Sequence, residues 1–161
     1  MNRIYLRKLN KTDIRYFSKW WRDKDLISLT SGNFELMSDK QIEDYFADML
    51  ASKTSFHFII TVNKETIGHI SISKKRSDWY ELQTVIGEKV FLGKGYGTKA
   101  IKLITRKAKT LGIGKIYLEV RPDNLRAIKT YEKSGFVFSK MKYYPKNDNL
   151  PKTMRMELKL F

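Results

Sequence analysis

Ile4 and Leu6 alternate with polar neighbours, the period-two signature of a short first strand. Thr12-Asp13 follows as a candidate cap for a helix in which Ile14, Phe17 and Trp21 share a face at helical spacing. A second helix opens at Ser38, where Gln41 completes a capping box, and Ile42, Tyr45, Phe46 and Met49 form its apolar stripe. Between 56 and 62, Phe56, Phe58, Ile60 and Val62 recur at every second position. Asn63-Lys64-Glu65 is turn-like and 66–73 reads as a strand, which predicts a hairpin. Residues 81–86 form a further strand, ended at Gly87.

The clearest helix covers 98–111. Ile101, Ile104, Ala108 and Leu111 point one way, Lys99, Lys102, Arg106 and Lys109 the other, and Gly112 terminates it. A short apolar strand covers 116–120. A helix over 125–133 is entered through Asp123-Asn124 and closed by Gly135, and 136–144 and 153–160 read as two last strands. This order predicts a mixed α/β fold: a central twisted mixed sheet of about seven strands flanked by about four helices. The strand–helix–strand unit from 81 to 120 is expected to cross over right-handed, making its two strands parallel neighbours. No repeat, low-complexity tract or proline-rich linker divides the chain, so residues 1–161 are expected to form one domain.

Composition narrows the chemistry. The 42% apolar and 13% aromatic content suits a packed globule. With no cysteine there is no disulfide, thiolate zinc site or cysteine nucleophile, and two histidines make a metal site an unattractive reading. The first residues lack the apolar run of a signal peptide, and no stretch reaches the roughly 20 apolar residues of a membrane span, so a cytoplasmic protein is expected. Thirty-two basic against seventeen acidic residues give a net charge of +15. Such a field attracts polyanions, but the lysines are scattered and read as a solvated surface.

The most informative segment is Leu92-Gly93-Lys94-Gly95-Tyr96-Gly97-Thr98, between a strand and the strong helix. Three alternate glycines permit a tight turn that presents bare N–H groups, and the following helix adds its positive N-terminal end. This is an anion cradle, which Lys94 and Lys99 can supplement. It is not a P-loop, because Gly93-Lys94 is followed by Gly95. Nor is it a dinucleotide fingerprint, whose spacing differs and which lies in a first strand–helix unit.

A second motif follows: Asn124-Leu125-Arg126-Ala127-Ile128-Lys129-Thr130-Tyr131-Glu132-Lys133-Ser134-Gly135-Phe136. With the glycine turn before it, the chain resembles the GCN5-related N-acetyltransferase (GNAT) superfamily from about 81 to 136. Its wording is similar to ribosomal-protein, polyamine and aminoglycoside acetyltransferases. One departure is Leu92, where the family carries Gln or Arg.

The resemblance implies acetyl-CoA as co-substrate, no metal, and direct acetyl transfer to a primary amine of a small molecule or protein N-terminus. It places the pyrophosphate on Leu92, Gly93, Lys94, Gly95, Tyr96, Gly97 and Thr98, and the pantetheine arm along the strand ending at Ile86 and on Asn124. Tyr131 would contact the cofactor sulfur and protonate the leaving thiolate. Glu81 would be the general base, with His69 as runner-up and His57 behind it. Trp20, Asp23 and Tyr143 would line the acceptor pocket, with Trp21 left in the core and Tyr144 beside Tyr143. A homodimer is an open expectation, and specific nucleic-acid binding is not expected. The +15 charge disfavours a strongly cationic acceptor unless a local acidic pocket overrides it. Two other classes remain: a catalytically idle acyl-CoA sensor and a basic nucleic-acid-binding domain.

Overall fold

A computed structural model describes residues 2–30 and 35–161. Seven strands form one sheet: β1 (Ile4–Lys8), β2 (Ser55–Val62), β3 (Glu65–Lys74), β4 (Trp79–Ile86), β5 (Lys115–Val120), β6 (Val137–Tyr143) and β7 (Lys152–Lys159). Their spatial order is β1-β2-β3-β4-β5-β7-β6. Every neighbouring pair is antiparallel except β4 and β5, which run parallel, as their helical connection requires. Five helices accompany the sheet: α1 (Ile14–Trp20), α2 (Lys24–Leu29), α3 (Asp39–Ala51), α4 (Tyr96–Thr110) and α5 (Leu125–Lys133). The sequence predicts four; α2 is the addition, too short for helical periodicity to show.

The side-chain alternation of the strands sorts two apolar layers. One face carries Ile60, Ile70, Ile72, Leu82, Ile116 and Leu118 and packs under Ala100, Ile101, Ile104 and Ala108 of α4. The other carries Ile59 and meets Phe17, Trp20, Leu26 and Phe46 from the first three helices. α4 ends earlier than its pattern suggests. Gly112 adopts φ +74° and Ile113 N–H returns to Ala108 O at 2.9 Å, so Ile113 fills the buried position and Leu111 faces solvent. Within the α3 stripe, Ile42 and Phe46 are buried and Tyr45 is exposed, its ring edge-on to Trp21.

The helix entry at the first turn also differs from expectation. Asn10, not Thr12-Asp13, is the cap: its side chain accepts from Thr12 N–H, and Asp13 closes the capping box onto Asn10 N–H. A 3-10 turn at Lys11–Asp13 precedes α1, which stops at Trp20. Phe17 stays buried as expected, with Ile14 packed beside it; Trp20 is buried as well, and Trp21, the C-cap of α1, is half-buried, both indoles touching Phe17. Asp13 is buried against a bidentate Arg7, with oxygens 2.7 and 2.8 Å from its guanidinium nitrogens.

Trp20 lies flat against Gly87 at the end of β4. A Cβ at 87 would sit 2.3 Å from the indole. Trp20 Nε1 donates to Glu88 Oε1 at 3.0 Å, and Lys19 pairs with the same carboxylate at 2.7 Å. Gly87→Ala therefore has to displace a buried ring. The expected result is a loss of about 1–3 kcal/mol in denaturant unfolding. A loss below about 0.5 kcal/mol would show that this contact yields freely. Among the described residues, no helix is long and apolar enough to cross a membrane.

Candidate active site

β4 and β5 begin side by side and then part. They pair only at Trp79↔Lys115, Tyr80↔Ile116 and Glu81↔Tyr117, although β4 continues to Ile86 and β5 to Val120. Beyond Glu81 the β4 edge has no strand on that side, and its backbone polar groups there are available to an extended ligand. A cleft of about 970 Å³ opens at this split. Residues 81–86 all line it, even and odd positions alike, as expected where a strand edge forms the wall.

One end of the cleft is the glycine turn. Gly93 and Gly95 adopt φ +73° and +80°, and a Cβ on either would meet nothing within 4 Å, so their backbone faces open space. Gly95 is the N-cap of α4 with no side-chain capping bond. The first amides of α4 thus have no side-chain cap, and they form the positive end of a helix of fifteen residues. Leu92, Gly93, Gly95, Tyr96, Gly97, Thr98 and Ile86 all line the cleft, and Arg126, Lys129 and Lys133 of α5 add positive charge. Tyr96 is in the lining and Lys94 is not. The Tyr96 ring is buried, with its hydroxyl accepting from Asn2 Nδ2 at 2.9 Å. Lys94 is exposed outside the lining, its ammonium 5.8 Å from the Phe91 ring.

The middle of the cleft holds Asn124 and Tyr131. Asn124 caps α5, accepting from Ala127 N–H at 3.2 Å, and its Nδ2 donates to Leu29 O at 3.2 Å, tying α5 to α2. One amide proton and one lone pair remain for a ligand. Tyr131, edge-on to Phe136, is pushed up to about 12 by burial, so its hydroxyl keeps its proton at neutral pH.

The opposite end is acidic. Glu81, where β4 and β5 part, and Glu119 of β5 line it; Glu35 and Arg121 are also in the cleft lining, and His69 lines it farther along, opposite Val85. Glu81 Oε2 pairs with Lys75 at 3.0 Å. Glu119 Oε2 accepts from Tyr144 OH at 2.5 Å and Thr153 Oγ1 at 2.8 Å, so Oε1 keeps its acceptor capacity. Burial and the adjacent Glu119 carboxylate push the Tyr144 hydroxyl up to about 12. Sequence reasoning misses Glu119, although a lone charge between buried Leu118 and Val120 is a usable signal.

Of the three expected pocket residues, Trp20 reaches the cleft only as a buried core ring, and Trp21 lines it beside Met37. Asp23 lies off the lining: it caps α2 through Asp25 and Leu26 N–H and pairs with Lys89 at 3.4 Å. Tyr143 is 69% exposed at the end of β6, away from the cleft; its neighbour Tyr144 turns inward to hold Glu119.

Comparisons with known proteins agree with this geometry. The acetyltransferase (GNAT) domain family model matches residues 3–137. An aminoglycoside N(6')-acetyltransferase type 1 from Klebsiella pneumoniae is 28% identical over 148 residues, covering 83% of this chain and 73% of that protein. Among solved structures, a spermidine N-acetyltransferase from Vibrio cholerae in complex with CoA and spermine superposes with a TM-score of 0.85. It is 22% identical and the match covers 98% of this chain and 95% of that one. The aminoglycoside acetyltransferase AAC(6')-Ib in complex with coenzyme A gives 0.80 at 21% identity, over 98% and 95%. At those identities the structures speak for the fold, and the family model carries the membership. A sheet split beside a glycine turn, with the matching sequence across most of its length, makes this chain a member of the GNAT family of N-acetyltransferases.

Proposed function

We propose that the chain transfers the acetyl group of acetyl-CoA directly to a primary amine of a small acceptor carrying more than one positive charge. The observation that carries this reading is the polarity of the cleft: glycine-turn amides and basic α5 side chains beyond the end of β4, and the Glu81 and Glu119 carboxylates on the strands where β4 and β5 part. The diphosphate would rest on the backbone of residues 93–98, where contact through amides makes the Leu92 departure tolerable. The pantetheine arm would add to the free β4 edge at 82–86 as an extra strand and meet Asn124.

The acceptor's ammonium groups would be drawn by Glu81 and Glu119, reversing locally the repulsion expected from a net charge of +15. An ammonium has no lone pair, so one proton passes to Glu81, directly or through water, before nitrogen attacks the thioester. A backbone N–H on the β4 edge would stabilise the oxyanion. Tyr131 then protonates the departing sulfur. No covalent enzyme intermediate is needed. Resemblance to a spermine complex and to aminoglycoside acetyltransferases supports a polycationic acceptor of that kind.

The test is Glu119→Gln. Its KM for a di- or polyamine is expected to rise about tenfold, the effect of roughly 1.4 kcal/mol, with a monoamine unaffected. Equal KM values for both classes would remove Glu119 from acceptor recognition.

A further inference from the structure

We propose that His69 and His57 form a proton outlet, carrying the proton released by the acceptor from the cleft along one face of the sheet to solvent beside β2. This rests on the acetyl-transfer reading above. His69 lines the cleft. Its Nε2 lies 3.0 Å from Nδ1 of His57, with the two rings stacked at 5.2 Å and 14°. The Phe17 ring meets His69 edge-on at 5.0 Å and holds it in place. His57 is half-buried on β2, next to an edge strand. Ser71 is directly opposite His57 and Gln83 directly opposite Ser71, a polar row across three strands in which Ser71 Oγ has no hydrogen-bond partner among the described residues, so the histidine pair is its connected part.

Such a row is costly on a face otherwise given to Ile59, Phe46 and Phe17, where apolar side chains would pack without loss of hydration. Burial lowers the basicity of both imidazoles, His69 to about 3. At neutral pH each ring is therefore uncharged, with one N–H and one bare nitrogen, the state a relay needs.

The proton count of the reaction requires an exit. An acceptor enters as R–NH3⁺ and leaves as an amide with one N–H, so nitrogen loses two protons while the C–N bond forms and the C–S bond breaks. One ends on the coenzyme A thiol, by way of Tyr131 and its reprotonation. The other becomes bulk H⁺. With cofactor and acceptor filling the cleft, that proton, first taken by Glu81, would pass through water to His69 Nδ1 as His69 Nε2–H moves to His57 Nδ1 and His57 Nε2–H passes to solvent. No charge accumulates on either ring. Once the products have left, water refilling the cleft takes the proton from His69 Nδ1 while His57 Nε2 takes one from solvent, which restores the starting tautomers with one net proton released per turnover.

The experiment uses the full chain with the amine acceptor found active for it. His57→Gln and His57→Ala are compared with wild type for acetyl-CoA affinity, acceptor KM, kcat and the solvent deuterium isotope effect. Expected are unchanged affinity and KM, a kcat lower by about 10- to 100-fold, a larger isotope effect, and partial recovery of His57→Ala by added imidazole. His69→Gln is expected to match His57→Gln, and the double variant to be no worse than either. Wild-type kcat and isotope effect in both single variants overturn the outlet, as does a kcat loss that imidazole leaves untouched with the isotope effect unchanged. Absence of thiol release by wild type with every amine would instead fault the acetyl-transfer reading itself.

Discussion

Tyr131→Phe lowers kcat about 100-fold while leaving acetyl-CoA affinity within about twofold of wild type. The substitution removes one hydroxyl and keeps the ring that packs edge-on to Phe136, so the cleft wall survives. What is lost is the proton for the departing thiolate, an acid–base contribution commonly worth 10²- to 10⁴-fold. A 100-fold change corresponds to about 2.7 kcal/mol of transition-state stabilisation. Because burial holds the hydroxyl near 12, above the ordinary tyrosine value, it stays protonated as pH rises through 10. The wild-type kcat profile is therefore expected to show no descending limb from this group between pH 7 and 10. Steady-state kinetics with calorimetric cofactor titration checks both points. A normal kcat in Tyr131→Phe would remove its role as acid.

Gly95→Glu abolishes the thermal stabilisation that acetyl-CoA gives to wild type. At a ligand concentration 100 times Kd, that stabilisation amounts to about 2.7 kcal/mol. Two effects combine in the variant. The position has φ +80°, which a side-chain-bearing residue adopts only with strain, and the new carboxylate enters the space where an anion would lie, beside the start of α4. Gly95→Ala separates them: strain without the charge is expected to weaken binding but not abolish it. Differential scanning calorimetry with and without cofactor reads the result. Full stabilisation of Gly95→Glu would place the diphosphate elsewhere.

Much of this architecture is legible in the residues, for reasons that differ by segment. The β2–β3 hairpin is legible because Phe56, Phe58, Ile60 and Val62 keep the face under α4 apolar up to a turn-like Asn63-Lys64, and α4 shows its stripe because its inward positions are apolar. The glycine turn is legible because its conformation demands glycine at 93 and 95. What escapes depends on phase and distance. Trp20 and Trp21 lie three and four residues beyond Phe17, both allowed by helical spacing, so the pattern alone does not say which is the more buried. Asp23 reads as a pocket residue until a short helix claims it as a cap. The acidic end of the cleft is assembled from β4 and β5, two places far apart in sequence. Likewise the contact between His57 and His69 depends on the β2–β3 register, offset by an irregularity after Ile60, and is invisible in two separate strand histidines.

Acetyl transfer to a multiply charged amine is tested most directly by one assay: wild-type protein, acetyl-CoA, and a panel of aminoglycosides, polyamines, amino sugars, monoamines and N-terminal peptides, followed by thiol release and mass spectrometry of the products. The expected result is coenzyme A thiol appearing in step with a singly acetylated, multiply charged amine, and far slower turnover of monoamines. Thiol release no faster than spontaneous hydrolysis across the panel, despite saturating acetyl-CoA, would contradict it.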